Sequence, residues 1–180
     1  KAIIAAISLF FGFGNVGTAQ QHQASDSIHF SGENHFANIR QLTFGGDNAE
    51  AYFSPDGKYL VYQVTNPKKG IECDQIWMGK IPTSPGESLN TKLVSTGTGR
   101  TTCAFFYPDG KHILYASTHL GSTACPPPVD RSKYGNKYIW PIYSDFDIFK
   151  ADTNGHIVKR LTKTNGYDAE ATISPKGDIM

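Results

Sequence analysis

The sequence predicts an all-β protein built from repeated four-stranded antiparallel units, and a recurring turn phrase is the main evidence. Ser54-Pro-Asp-Gly-Lys58 returns as Tyr107-Pro-Asp-Gly-Lys111 and as Ser174-Pro-Lys-Gly-Asp178. Proline presets φ in such a turn, and glycine accepts the left-handed conformation that closes it. Hydrophobic runs flank the first two copies, so each is expected to connect the strands of a hairpin. A valine at Gly57 or Gly110 is therefore expected to misfold the protein.

The repeat extends beyond the turn on both sides. Five residues before each repeat proline stand Glu50, Cys103 and Glu170, and nine residues before it stands a glycine. A third strand is predicted after each of the first two hairpins, at Gln75–Met78 and Asp147–Lys150. A short segment that contains Leu-Thr or a similar pair then leads into the next unit. Four short strands per unit are the sequence signature of a propeller blade. We therefore predict a β-propeller of four-stranded antiparallel blades, with about two blades and the start of a third in this chain.

The segment from Arg40 to Leu60, RQLTFGGDNAEAYFSPDGKYL, resembles the repeat of the TolB-like β-propeller family. The resemblance covers residues 39–180 and implies six blades in the full protein. It also implies an exported bacterial protein, either periplasmic or secreted. The best-known family member contacts peptidoglycan-associated lipoprotein and other envelope partners, so an envelope protein or glycan is the expected partner here. Propellers host many unrelated activities, so the resemblance is more specific for fold than for function.

The first 19 residues have the pattern of a partial signal peptide, and the alternative is a buried helix or an uncleaved anchor. Lys1 precedes a short apolar core, and Gly17-Thr18-Ala19 supplies small residues for cleavage before Gln20. The apolar run is too short to span a bilayer comfortably, so no stable membrane insertion is expected after cleavage. Residues 20–38 are interpreted as a flexible lead-in whose end could supply a blade-closing strand. Because the last hairpin stops at Met180 before its second strand, we interpret the chain as a fragment of a longer protein.

The composition narrows the range of partners. The 180 residues are 39% hydrophobic and 18% charged, with a formal net charge of +1. This near-neutral balance gives no electrostatic reason to expect binding to nucleic acid or to an anionic membrane surface. We also predict no cofactor and no metal site.

The second unit carries an insertion between its second and third strands, from His119 to Tyr143. Insertions in repeat proteins usually map to loops on one face, often the binding face. This one has a run of three prolines followed by interleaved aromatic and basic residues. The alternative is that its aromatic side chains only pin the loop to the blade. The candidate binding residues are Arg131, Lys133, Tyr134, Tyr138 and Trp140.

Glu50 and Glu170 occupy the same repeat position, near the expected central channel. Such carboxylates could bind a cation or a basic group of a partner. They could equally satisfy backbone amides or arginines of neighbouring blades. Cys103 stands at this position in the second unit, so a complete carboxylate ring is not expected.

The chain has three cysteines, and export makes a disulfide reasonable. A bond between Cys103 and Cys125 would close the inserted loop within one blade, and it is the preferred pairing. A bond between Cys73 and Cys103 would instead tie the first blade to the second. Either pairing leaves one thiol over.

Two functions are compatible with the sequence. The leading prediction is an exported, non-catalytic propeller scaffold that binds a protein or glycan partner in the cell envelope. The alternative is the propeller domain of a larger hydrolase, similar to prolyl-oligopeptidase-like serine peptidases, with its catalytic domain beyond residue 180. The 180 residues contain no Gly-x-Ser-x-Gly motif and no zinc-type histidine cluster, which favours the first prediction for this segment.

Overall fold

The structure is a computed structural model that describes residues 30–37, 39–84, 87–135 and 137–180. The predicted signal peptide, residues 1–19, lies outside the described residues, as does most of the predicted lead-in. The described residues before Asp47 form no strand, and the blade-closing strand stays a prediction. Among the described residues, no helix is both long enough and apolar enough to cross a membrane.

Eight strands form two four-stranded antiparallel sheets, and in each sheet the strands are ordered as they occur along the chain. The first sheet contains β1 (Asp47–Phe53), β2 (Tyr59–Asn66), β3 (Ile71–Lys80) and β4 (Asn90–Leu93). The second contains β5 (Thr101–Phe106), β6 (His112–Ser117), β7 (Asp147–Asp152) and β8 (Ile157–Arg160). Short 3₁₀ turns lie at Pro67–Lys69 and Arg131–Tyr134. The predicted arrangement of four consecutive antiparallel strands per unit is confirmed for both units.

The repeated turns close the hairpins as predicted. The Ser54 amide donates to the Tyr59 carbonyl at 2.9 Å, and the Gly57 amide donates to the Ser54 carbonyl at 2.8 Å. The equivalent two hydrogen bonds close the second and third copies of the turn. The turn glycines all have positive φ, +67° at Gly57, +64° at Gly110 and +77° at Gly177. The third copy therefore folds locally as the first two do.

The two sheets pack face to face around one apolar core. Alternate residues of a strand point to opposite faces, so one set of side chains from each sheet meets the other sheet. Burying these apolar groups contributes most of the attraction between the sheets. The core residues are Val61, Ile76, Met78 and Val94 from the first sheet and its following turn, and Ala104, Phe106, Ile113, Tyr115, Phe149 and Ala151 from the second.

Buried polar groups fix how the two sheets sit against each other. The Gln63 side-chain oxygen accepts hydrogen bonds from the Thr102 hydroxyl at 2.6 Å and from the Cys103 amide at 3.3 Å. The Gln75 side-chain amide donates to the Gly99 carbonyl at 2.7 Å. A buried donor or acceptor that loses its partner costs about 1–3 kcal/mol, so these bonds oppose sliding of one sheet over the other. The inner strand β5 consequently packs against β1, β2 and β3.

Candidate functional site

The described residues of the predicted insertion form a long connection between the second and third strands of the second sheet. Residues 118–146 connect β6 to β7, whereas residues 67–70 make the equivalent connection in the first sheet. The Asp130 carboxylate accepts a hydrogen bond from the Ser132 amide at 3.1 Å and so caps the 3₁₀ turn that follows. The Tyr143 hydroxyl donates to the Pro127 carbonyl at 2.7 Å, which joins the two arms of the loop. The insertion therefore holds its shape partly through its own contacts.

The disulfide joins Cys73 to Cys125, with the two Cα atoms 5.9 Å apart, and Cys103 is free. The predicted bond between Cys103 and Cys125 is wrong, and so is the alternative bond between Cys73 and Cys103. The reason is the backbone at Cys103, where a left-handed conformation places the residue in a cavity with Glu50 and Glu170. Cys125 of the insertion is instead bonded to Cys73, which lies on β3 of the first sheet. The insertion is therefore covalently anchored to the first sheet.

A cavity of about 320 Å³ lies beneath the insertion, where the two sheets and the start of the third unit meet. Aromatic and apolar side chains form most of its lining, and a small number of charged groups are exposed within it. This combination is typical of small-molecule sites, in which a few polar groups set orientation. The lining residues are Trp140, Tyr143, Phe146, Tyr167, Pro128, Val129, Ile139, Pro141, Asp74, Arg100, Thr102 and Arg131.

An ion pair is the main charged feature of this cavity. Arg100 Nε lies 3.6 Å from Asp74 Oδ2, and the Thr65 hydroxyl donates to Asp74 Oδ1. The Arg100 guanidinium also lies 6.0 Å from the centre of the Tyr143 ring, within the range of a cation–π contact. Both charged side chains keep about a quarter of their surface exposed. The pair is thus held in place from behind and remains accessible to a ligand.

Trp140 provides the open aromatic surface of the cavity. Its indole nitrogen donates to the Tyr167 hydroxyl at 3.3 Å, which restrains the orientation of the ring. The Trp140 side chain is nevertheless 53% exposed. Burial is the main reason that the pKa of Tyr167 is raised, and its hydroxyl accepts the hydrogen bond from the indole. The arrangement leaves an oriented indole ring accessible from solvent.

The structure separates the five predicted residues of the insertion into two groups. Arg131 and Trp140 line the cavity. Lys133, Tyr134 and Tyr138 lie outside it on the same loop, where Lys133 is 3.8 Å from the Asp130 carboxylate and Tyr138 is 81% exposed. Binding of a partner by any of the five stays a prediction.

Asp74, Arg100 and Tyr167 line the cavity although they were not among the predicted site residues. They come from three separate parts of the chain, and each is adjacent to a feature that the sequence did reveal. Asp74 follows the disulfide cysteine Cys73, Arg100 follows the repeat glycine Gly99, and Tyr167 follows the corresponding glycine of the third unit. The correct disulfide pairing would have been the signal, because it brings the start of β3 beneath the insertion.

The repeat position of Glu50, Cys103 and Glu170 forms a second site, where the three units meet around a cavity of about 250 Å³. All three residues have a left-handed backbone, with φ of +52°, +52° and +59°. The register of the first strand pair shifts at this position in both sheets, which marks a β-bulge. The structure places Glu50 and Glu170 in the lining of one cavity, and binding of a cation or a partner by these glutamates stays a prediction.

The interactions in this second cavity are mainly local. The Tyr52 hydroxyl donates to Glu50 Oε2 at 3.1 Å, and this bond to the carboxylate is the main reason that the pKa of Tyr52 is raised. Burial raises the pKa of the Cys103 thiol, and the nearby glutamates add to the effect. A protonated thiol is a weak nucleophile. Among the described residues, no group of three or more His, Cys, Asp or Glu side chains is placed to hold a metal ion.

A serine–histidine pair lies in the interior near the start of the insertion. His119 Nδ1 is 3.0 Å from the Ser117 hydroxyl, and the imidazole packs against Phe149 with ring centres 4.4 Å apart. Burial lowers the pKa of His119, which favours the neutral imidazole. Ser117 has no exposed surface, so a substrate cannot reach its hydroxyl in this conformation. The pair satisfies polar groups within the fold.

Two stacked four-stranded antiparallel sheets, each built from consecutive hairpins, form a propeller-like arrangement. No family model and no curated protein sequence matches the chain. Among solved structures, it is similar to "The structure of putative TolB from Agrobacterium tumefaciens", with a TM-score of 0.52 and 20% sequence identity. The similarity covers 77% of this chain and 43% of that one, so the chain spans less than half the length of that protein. The chain therefore has a TolB-like fold.

Proposed function

We propose that this chain belongs to an exported, non-catalytic β-propeller scaffold that binds a protein or glycan of the cell envelope. The full protein would have six blades, and the insertion would cover the binding face. The observation that carries the proposal is the cavity beneath the disulfide-anchored insertion, where Trp140 and Arg131 are accessible. The disulfide at Cys125 and the hydrogen bond from Trp140 to Tyr167 restrain the insertion before a ligand arrives, which lowers the entropic cost of binding.

The chemistry of the described residues supports binding rather than catalysis. Asp74 and Arg100 are paired with each other at the main cavity. Burial raises the pKa of the Cys103 thiol, and the hydroxyl of Ser117 is enclosed in the protein interior. Neither group has the exposed, activated character that a nucleophile needs.

Partner capture from an envelope extract tests the role of the insertion. The protein is immobilised, and the protein and polysaccharide fractions of the extract are passed over it separately. We expect the double variant Arg131→Ala/Lys133→Ala to lose most of the material that the wild type retains, because it removes two exposed cations from the proposed face. Retained material is quantified by mass spectrometry and by sugar analysis.

The matched control is Lys68→Ala/Lys69→Ala, in the equivalent connection of the first sheet. It also removes two exposed cations, so it corrects for the loss of net charge. Equal retention by the wild type and by both double variants would overturn the proposal that the insertion is the binding face.

Export is tested by the amino terminus of the mature protein. We expect the protein recovered from the periplasmic fraction or medium of its source cells to begin at Gln20, since the small residues Gly17 and Ala19 suit signal-peptidase cleavage there. Terminal sequencing measures this directly. Recovery in the cytoplasmic fraction with residues 1–19 still attached would contradict export.

A further inference from the structure

We infer that the ligand of the cavity beneath the insertion is an acidic oligosaccharide, with one sugar ring stacked on Trp140 and a carboxylate bound by Arg131. The inference rests on the proposed function, because it assigns a ligand class to the same binding face. It concerns a glycan rather than a protein partner.

The accessible indole of Trp140 is the first reason for a sugar ligand. The hydrogen bond from Trp140 to Tyr167 restrains the ring, while about half of the side chain stays exposed. An accessible, flat aromatic surface accepts the apolar face of a sugar ring. Because the indole is already held in place, its orientation does not have to be fixed on binding. A cavity of about 320 Å³ is at the lower end of the range for small-molecule sites, which suits a short oligosaccharide.

The Asp74–Arg100 pair is the second reason. A sugar hydroxyl can donate and accept a hydrogen bond, and this pair presents an acceptor and several donors side by side. Thr65 fixes Asp74 from behind, and Tyr143 lies against the guanidinium of Arg100. The pair can therefore bind adjacent hydroxyl groups without rearranging. A purely apolar ligand would cover the polar atoms of Asp74 and Arg100 without forming hydrogen bonds to them.

The balance of charge gives the third reason, and it points to an acidic sugar. The cavity is lined by two arginines, Arg100 and Arg131, against one aspartate, Asp74. Arg131 is exposed and has no ion-pair partner within residues 30–37, 39–84, 87–135 and 137–180. A guanidinium binds a carboxylate through two parallel hydrogen bonds, so Arg131 is placed to bind the carboxylate of a uronic acid.

Titration calorimetry with trigalacturonate and with the uncharged chitotriose tests the inference on the full protein. We expect the wild type to bind trigalacturonate at least about tenfold more tightly than chitotriose. Only trigalacturonate can form a charge-assisted interaction with Arg131, and one such interaction accounts for a difference of this size. Arg131→Ala should weaken trigalacturonate binding about tenfold and abolish the preference. Trp140→Ala should weaken binding of both sugars, because both lose the stacking surface.

The control is Lys68→Ala, which removes an exposed cation from the equivalent connection of the first sheet, outside the insertion. It should change the affinity for trigalacturonate by less than about threefold, since exposed charges are screened at physiological salt. Equal binding of the two sugars, no binding of trigalacturonate, or an equal loss in Lys68→Ala and Arg131→Ala would each overturn the inference. If the extract experiment still shows capture that depends on the insertion, the proposed function stands without the assignment of an acidic oligosaccharide.

Discussion

Gly99→Ala should reduce the free energy of unfolding by about 2–5 kcal/mol, against about 1–2 kcal/mol for Gly110→Ala. Both glycines have a left-handed backbone, with φ of +61° and +64°. A Cβ at Gly99 would lie 2.8 Å from the His119 amide nitrogen and 2.8 Å from the Thr118 hydroxyl oxygen, whereas a Cβ at Gly110 would meet nothing within 4 Å. The first substitution therefore adds a steric clash to the backbone strain that both share.

Urea unfolding, followed by tryptophan fluorescence and circular dichroism, measures both variants. Gly46→Ala serves as a second test of the same cause, because its Cβ would lie 2.5 Å from the Thr65 carbonyl oxygen. Gly46 and Gly99 occupy the same repeat position, so their losses should be similar in size. If Gly99→Ala and Gly110→Ala destabilise the protein equally, close packing is not the reason for glycine at this position.

The turn glycines could be predicted from the sequence, whereas the close packing at Gly46 and Gly99 could not. The turn glycines were identifiable because proline two residues earlier marks a tight turn, and the structure confirms the turns. The greater sensitivity of Gly46 and Gly99 was not predictable, although their regular spacing was visible. It arises because each glycine lies against the end of the second strand of its own unit, a contact set by the sheet and not by local chemistry.

The candidate site was also predictable only in part, because the sequence indicated the insertion but not the residues from other segments that line the cavity. The position of the insertion followed from counting residues between recognisable strands, and two of its five candidate residues, Arg131 and Trp140, line the cavity. Asp74 was missed because it approaches the insertion only when the first sheet packs against the second, and Arg100 was missed because its approach depends on backbone pairing with the distant Thr118. The disulfide was mispaired for the first of these reasons. Spacing along one unit favoured Cys103, while packing between units brings Cys73 to the insertion.

Cys125→Ser should lower the free energy of unfolding of the oxidised protein by about 4 kcal/mol, because the bond closes a long loop and restricts the unfolded chain. The two cysteines are 52 residues apart in the sequence. Cys125 is exposed, so serine is tolerated there, and Cys73 would remain as a small buried thiol. Urea unfolding with and without reductant measures the effect, and the variant should no longer respond to reductant.

Cys103→Ser is the matched control, since it removes the free thiol and leaves the bond intact. It should respond to reductant as the wild type does. Peptide mapping without reduction should recover Cys73 and Cys125 in one linked pair, and a linked peptide containing Cys103 would contradict the structure.

The same variant separates stabilisation of the fold from anchoring of the insertion. Without the disulfide, hydrogen bonds such as those of Tyr143 and Trp140 would hold the loop, and each contributes only about 1 kcal/mol. Arg131 and Lys133 should then become rapid sites of trypsin cleavage at urea concentrations where both sheets are still folded. If cleavage at these residues is equally slow with and without the disulfide, the bond stabilises the sheets but is not needed to hold the insertion over its cavity.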